Sequence, residues 1–159
     1  MIGKIIACSS FAGTVGYVIK TDQSRILAAE GVTPPDARDM AQDFKDQTLL
    51  NPRLKNTVGH ISLSFSPKDA GKLTDAKITE IAKEYMERMG IRDTQFLLVR
   101  HFDQAHPHCH LVYNRIGNHG QTISDRNIKF RNIKVCKELT AKHGLYYARG
   151  KEQVNRDRL

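Results

Sequence analysis

Side chains alternate between the two faces of a β-strand, and from Gln95 to Asn114 this chain follows that alternation. Leu97, Val99, His101 and Asp103 fall on one side of a first strand; His106, His108, His110, Val112 and Asn114 fall on one side of a second. With Gln104-Ala105 as a two-residue hairpin loop, His101 pairs with His108 and Asp103 with His106. Directly opposed residues have Cβ atoms roughly 4.5–5.5 Å apart, and His110 lies one same-face step beyond His108, so one ion could touch all three rings. That arrangement suits a divalent metal with a coordination position left open; the alternatives are a structural zinc or a chance surface cluster. Four of the seven histidines lie in this ten-residue stretch, which favours the metal. Pro107 cannot donate to a ladder, but it points off the histidine face and leaves the ligand register intact.

The rest of the chain supplies more strands, separated by helices. Met1 to Ser9 reads as a buried first strand, and Ser9 or Ser10 then caps a short helix through Lys20. Ser24 to Gly31 is a second short strand, and Pro34-Pro35-Asp36 opens a helix through about Gln47 with Met40, Ala41 and Phe44 on its apolar face. Thr57 to Pro67 alternates as a strand, with His60, Ser62 and Ser64 on one side and Ile61, Leu63 and Phe65 on the other. A longer helix follows, capped by Thr74 or Asp75, with Ile78, Ile81, Ala82, Tyr85 and Met89 as its core stripe and Gly90 as its stop. After a turn at Gly117 to Gly120, a basic helix runs from about Asn127 to His143 and ends at Gly144. These elements predict an α+β fold, a two-layer sandwich in which helices pack on a largely antiparallel central sheet carrying the histidines.

At 159 residues the chain suits one globular domain, here 1–148, with 149–159 as the start of a basic linker. Cys8, Cys109 and Cys136 lack paired spacing and fit a reducing cytoplasm. Ile5-Ile6-Ala7-Cys8 resembles a lipoprotein cleavage site, but too few residues separate Lys4 from Cys8 for an export signal's apolar region of about 7–15. No apolar run approaches the roughly 18 residues of a membrane span. Of the net charge of +8, nearly all sits in residues 115–159, where 11 Lys and Arg face 4 Asp and Glu. A basic segment beside a metal site favours a polyanion, and nucleic acid is the commonest one.

An open metal site near a basic surface fits phosphoester chemistry, with either water or a side chain as the attacking group. Among the tyrosines, Tyr17 has the informative phase. Phe11, Val15, Val18 and Ile19 form one narrow helical stripe, and Tyr17 falls roughly 145° from its centre, away from the core. Tyr85 is on a buried stripe and Tyr113 is on the strand face opposite the histidines. Gly13 and Gly16 leave the backbone beside Tyr17 uncluttered. A phenol is only ~0.1% ionised at neutral pH, so such an attack needs a base, a cation or a metal, and Lys20 one turn on could supply part of that field. The alternatives are an ordinary surface tyrosine and a solvated lysine.

Together these residues resemble the catalytic domain of the relaxase/mobilisation nucleases, the HUH endonucleases of MobA type carried on mobilisable plasmids and transposons. That family's third motif reads H-x-D-x-x-N-x-H-x-H-x-x-x-N, and here His101, Asp103, His106, His108, His110 and Asn114 occupy its fixed positions, with His106 where the family often has Asn. Ser9 to Lys20 is similar to the first motif, which sets a tyrosine on a helix after the first strand, and His60 to Phe65 is more weakly similar to the second. The tyrosine precedes the histidines, which is the relaxase order. The resemblance implies a strand-specific nick in single-stranded DNA at a transfer origin, with Tyr17 as nucleophile, a 5′-phosphotyrosyl intermediate and a free 3′-hydroxyl that can reverse the reaction. It also implies His101, His108 and His110 as ligands of a divalent ion, with Mg or Mn favoured and Zn or Ni as alternatives, and accessory relaxosome proteins as partners. Asp103 is then the candidate for orienting an imidazole. His106, Asn114, Lys20, His60, Ser62 and Ser64 are candidates without an assigned role. Lys129, Arg131, Lys134, Lys137 and Lys142 are the expected DNA-backbone contacts. A water-using metallohydrolase and a binding module with a structural metal are the competing readings.

Overall fold

The structure, a computed structural model, describes residues 1–19 and 22–147. Its strands are β1 (Ile2–Ile5), β2 (Ser24–Glu30), β3 (Val58–Ser64), β4 (Phe96–His101) and β5 (His108–Asn114), and its helices are α1 (Phe11–Ile19), α2 (Ala37–Gln47), α3 (Asp75–Met89) and α4 (Ile128–Lys142). Every strand pairing is antiparallel, in the order β1-β3-β5-β4-β2. Short 3-10 turns at Thr48–Leu50 and Pro67–Lys72 were not expected.

The helices begin and end for local reasons. Ser10 caps α1, its hydroxyl accepting from Gly13 N at 3.1 Å. Asp36 caps α2 by accepting from Asp39 N, and Thr74 caps α3 by accepting from Lys77 N. Gly90 ends α3 in the left-handed conformation, with φ of 77°.

The α+β class and the antiparallel sheet are those expected, but the layering is fuller than a two-layer sandwich because helices cover both faces. On one face, Phe11, Val15, Val18, Met40 and Phe44 of α1 and α2 pack on Leu97, Val99 and Val112. Phe11 and Phe44 stack with ring centroids 4.7 Å apart, which ties the two helices together. On the other face, Ile78, Ile81, Tyr85, Val135 and Leu139 of α3 and α4 pack on Ile61, Leu63, Leu98 and Leu111. The Tyr85 hydroxyl donates to Asn132 Oδ1 at 2.7 Å, and Asn132 Nδ2 donates to the Gly3 carbonyl at 2.8 Å, which links α3, α4 and β1.

Two expectations are corrected. The first strand is not buried: β1 is a short edge strand, and Ile2 is 64% exposed. The histidine hairpin keeps its register, His101 opposite His108, but the ladder stops there and Phe102 to Pro107 form a six-residue connection, so Asp103 and His106 are not paired. The connection is held from outside: Phe102 N donates to the Gln23 carbonyl and Phe65 N to the Pro107 carbonyl. Lys20 and the expected linker at 149–159 lie outside the described residues.

Gly59 precedes His60 on β3, and a Cβ there would lie 2.2 Å from the Tyr113 ring. Tyr113 is 2% exposed and has no free space to shift into. Gly59→Ala is expected to destabilise the domain by about 1–3 kcal/mol, the usual range for overpacking, read as a lowered midpoint in thermal or urea denaturation.

Candidate active site

Cross-strand pairing writes the site as rows across the face beneath α1. One row runs Ile2, Ser64, His108, His101, Ser24, and the next runs Lys4, Ser62, His110, Val99, Ile26. His101, His108 and His110 therefore meet at adjoining ladder positions, and one ring nitrogen from each lies within 4.8 Å of the others. The His101 and His110 ring centroids are 4.3 Å apart, and all three side chains are buried.

Hydrogen bonds decide which nitrogens can face a ligand. His101 Nε2 lies 2.7 Å from the Val18 carbonyl, which can only accept, so Nε2 donates and Nδ1 is the nitrogen left for the cluster. His110 Nδ1 lies 2.8 Å from His60 Nε2, which leaves His110 Nε2 for the cluster. His60 Nδ1 in turn faces Cys8 Sγ at 3.4 Å. His108 has two longer contacts, Nδ1 to the His106 carbonyl and Nε2 to Asp103 Oδ1, both 3.4 Å.

Burial pushes His60 down to about 4 and His110 down to about 3, each helped by repulsion from His101. The same desolvation lowers His108. These imidazoles are therefore neutral near pH 7, the protonation state that a metal ligand requires.

Tyr17 is the aromatic residue brought to this cluster from outside the sheet. Its ring centroid lies 6.0 Å from that of His110 and 6.3 Å from that of His60, and its side chain is 53% exposed. A cleft of about 620 Å³ opens in front of it, lined by Lys4, Cys8, Ser10, Gly13, Tyr17 and His60 among others.

The remaining candidates divide. His60 joins the site, and Ser62 and Ser64 lie half-buried in the same rows, opposite His110 and His108. Asp103 comes beside His108, while His106 reaches it through its carbonyl, with the two rings 5.3 Å apart. Asn114 is at the far end of β5, where its amide donates to the Phe44 carbonyl and to Gln95 Oε1, both at 2.9 Å, and its Oδ1 accepts from Ile116 N. It fastens β5 to α2 and touches none of the clustered histidines.

The basic helix lies elsewhere. α4 packs with α3 on the sheet face opposite the histidines. The Arg131 guanidinium donates to the carbonyls of Arg126, Met89 and Ser124, and Lys142 pairs with Glu84 at 3.0 Å. Lys129 and Lys134 are exposed and Lys137 is half-buried. A second group of potential ligands, Glu80, Glu84 and His143, sits on that far side, where Lys77 and Lys142 already neutralise the carboxylates.

Two residues of the site gave no signal in the sequence. The segment ending at Cys8 resembles only a cleavage signal, which says nothing of a contact with His60, and Val18 contributes only its carbonyl.

The family model for relaxases, described as the MobA/VirD2-like nuclease domain, matches residues 17–145. No curated protein matches the sequence. Among solved structures, a MobM relaxase domain (MOBV; Mob_Pre) bound to 26-nucleotide pMV158 oriT DNA shares the fold with a TM-score of 0.56. That likeness covers 95% of this chain and 92% of that one at 18% identity.

Because His60 and His110 resist protonation only when folded, the unfolded chain binds more protons as pH falls below the ordinary value of 6.5. Stability of the metal-free domain is therefore expected to be full above pH 6.5 and to fall progressively towards pH 4 and below. Denaturation midpoints measured from pH 7.5 to 4.5 check this, and His60→Gln should flatten the dependence.

Proposed function

Because this chain belongs to the MobA/VirD2-like relaxases, whose nuclease domain it matches over residues 17–145, we propose that it nicks one DNA strand at a transfer origin by transesterification to Tyr17. The observation that carries this reading is the seating of Tyr17 beside His110, over three convergent imidazoles and on the wall of an open cleft.

The donor set fits a divalent ion. His101, His108 and His110 are buried and gather one ring nitrogen each within 4.8 Å, so these three would hold it. When bound, the ion supplies positive charge against the non-bridging oxygens of the scissile phosphate. Magnesium or manganese is favoured, with zinc or nickel as alternatives.

The chain's own groups do the rest. The Tyr17 phenolic oxygen attacks phosphorus, a phosphotyrosyl ester to the 5′ end forms as the bond to O3′ breaks, the phenolic proton passes to solvent, and O3′ takes up a proton as the free hydroxyl. The ester bond is conserved, so attack by a 3′-hydroxyl restores the strand and releases Tyr17. The Val18 carbonyl holds the His101 ring, His60 holds that of His110, and Asp103 sits against His108. His60, Val18 and Asp103 are positioning groups.

Single-stranded origin DNA is the proposed substrate, supported by the oriT DNA bound to the MobM relaxase domain of like fold. Accessory relaxosome proteins are the proposed partners and the cytoplasm the proposed compartment, which suits three free thiols. Among the described residues no helix is long and apolar enough to cross a membrane.

A labelled single strand carrying the transfer origin of the element that encodes this chain tests the proposal. Wild type with Mg or Mn should give a denaturant-resistant protein–DNA adduct, and Tyr17→Phe should abolish it. Hydrolysis with no adduct in wild type would favour the water-using metallohydrolase instead. Chelation should stop cleavage while the thermal transition persists; unfolding on chelation would mean a structural metal.

A further inference from the structure

We infer that the strand flanking the scissile phosphate runs along a second cleft on the histidine face, between the start of α1 and one side of α2, and that Arg38 and Lys45 hold its backbone. This rests on the nicking reading above and adds the path that the substrate takes to the site. The cleft measures about 560 Å³, and Ser9, Ser10, Arg38, Gln42, Lys45 and Thr48 are in its walls. Ser9 and Ser10 also line the cleft that contains Tyr17 and His60, so the two clefts adjoin at the start of α1.

Charge is sorted along this groove in a way that composition does not foretell. α2 carries Arg38 and Lys45 against Asp39, Asp43 and Asp46, so the helix as a whole is acidic. Yet Arg38, Ala41, Gln42 and Lys45, at spacings of three, four and seven residues, form the side that lines the cleft, and no carboxylate lines either cleft. Asp43 is turned to the far side, where it accepts from Thr33 N, and Asp46 accepts from the amide of Gln42 on the cleft wall without lining the cleft itself. Arg38 and Lys45 are exposed and have no ion-pair partner among the described residues. Lys4 continues the positive wall into the first cleft. A lining of cations and hydroxyls with no carboxylate suits a phosphodiester backbone, and the cleft adjoins the one that holds Tyr17, where the strand would be cut. The α4 cations face away from this path.

The test uses the full chain and fluorescein-labelled dT24, with affinity measured by anisotropy over a range of salt concentrations. Neutralising two phosphate contacts in Arg38→Gln/Lys45→Gln should flatten the slope of log affinity against log salt by about 1.4, at about 0.7 per single-stranded phosphate. Arg38→Lys should keep the wild-type slope, since only the charge is needed, and circular dichroism should show all variants folded. Lys129→Gln/Lys134→Gln should leave the slope unchanged. An unchanged slope in the α2 double variant, or a flattening seen only in the α4 variant, overturns the groove. Failure of the nicking reading looks different: Tyr17→Phe would then leave cleavage intact while the α2 variant still flattened the slope.

Discussion

The antiparallel ladder between β4 and β5 is the constraint on which the site depends. It sets His101 opposite His108 and Val99 opposite His110, and a slip of one residue would turn one strand's imidazoles to the opposite face. The apolar residues between the histidines prevent that slip. Leu98 and Leu111 are directly paired and buried under α3 and α4, while Leu97 and Val112 are paired and buried under α1 and α2. Both faces of the hairpin are therefore packed, and a register shift would drive Arg100 or a histidine into one of the two cores. The histidine focus is a by-product of hydrophobic packing on both sides of two strands.

Topology then brings Tyr17 over that focus. β1 and β2 are consecutive in the chain yet occupy opposite edges of the sheet, so α1 must cross the three strands between them. Nine residues at about 1.5 Å each reach about 13 Å, enough to pass over strands spaced about 4.8 Å apart. Phe11, Val15 and Val18 hold the helix down, and the 100° advance per residue leaves Tyr17 at its edge, facing the uncovered part of the histidine face.

Local patterns carried most of this and failed where contacts between distant segments decide. Alternation placed β3, β4, β5 and the register of the histidines, and helical phase placed Tyr17 off the core, because both signals are written in neighbouring residues. The hairpin turn was misjudged because its end is fixed by bonds to Gln23 and Phe65, segments remote in sequence. β1 reads as buried from Ile2, Ile5 and Ile6, but whether a strand is central or at an edge is a property of the whole sheet. The charge of α4 is legible and its location is not, since a basic stripe looks alike on either face. α2 shows the converse: its overall acidity hides two cations that share one side with the groove.

Tyr17 and the clustered histidines are not independent modules. The last turn of a helix leaves carbonyls without intrahelical partners, and in α1 the Val18 carbonyl, one residue beyond Tyr17, accepts from His101 Nε2. The backbone step that aims the phenol also holds the His101 ring on β4. On the other side, His60 bonds His110 and its ring lies 6.3 Å from the Tyr17 ring, so β3 supports both. A shift of α1 by a fraction of a turn would move the phenol from its place and break the bond that keeps His101 Nδ1 turned inward. Coupling of this kind makes the position of α1, set by the stacking of Phe11 on Phe44 and the burial of Val15 and Val18, as much a determinant of the site's geometry as the histidines themselves.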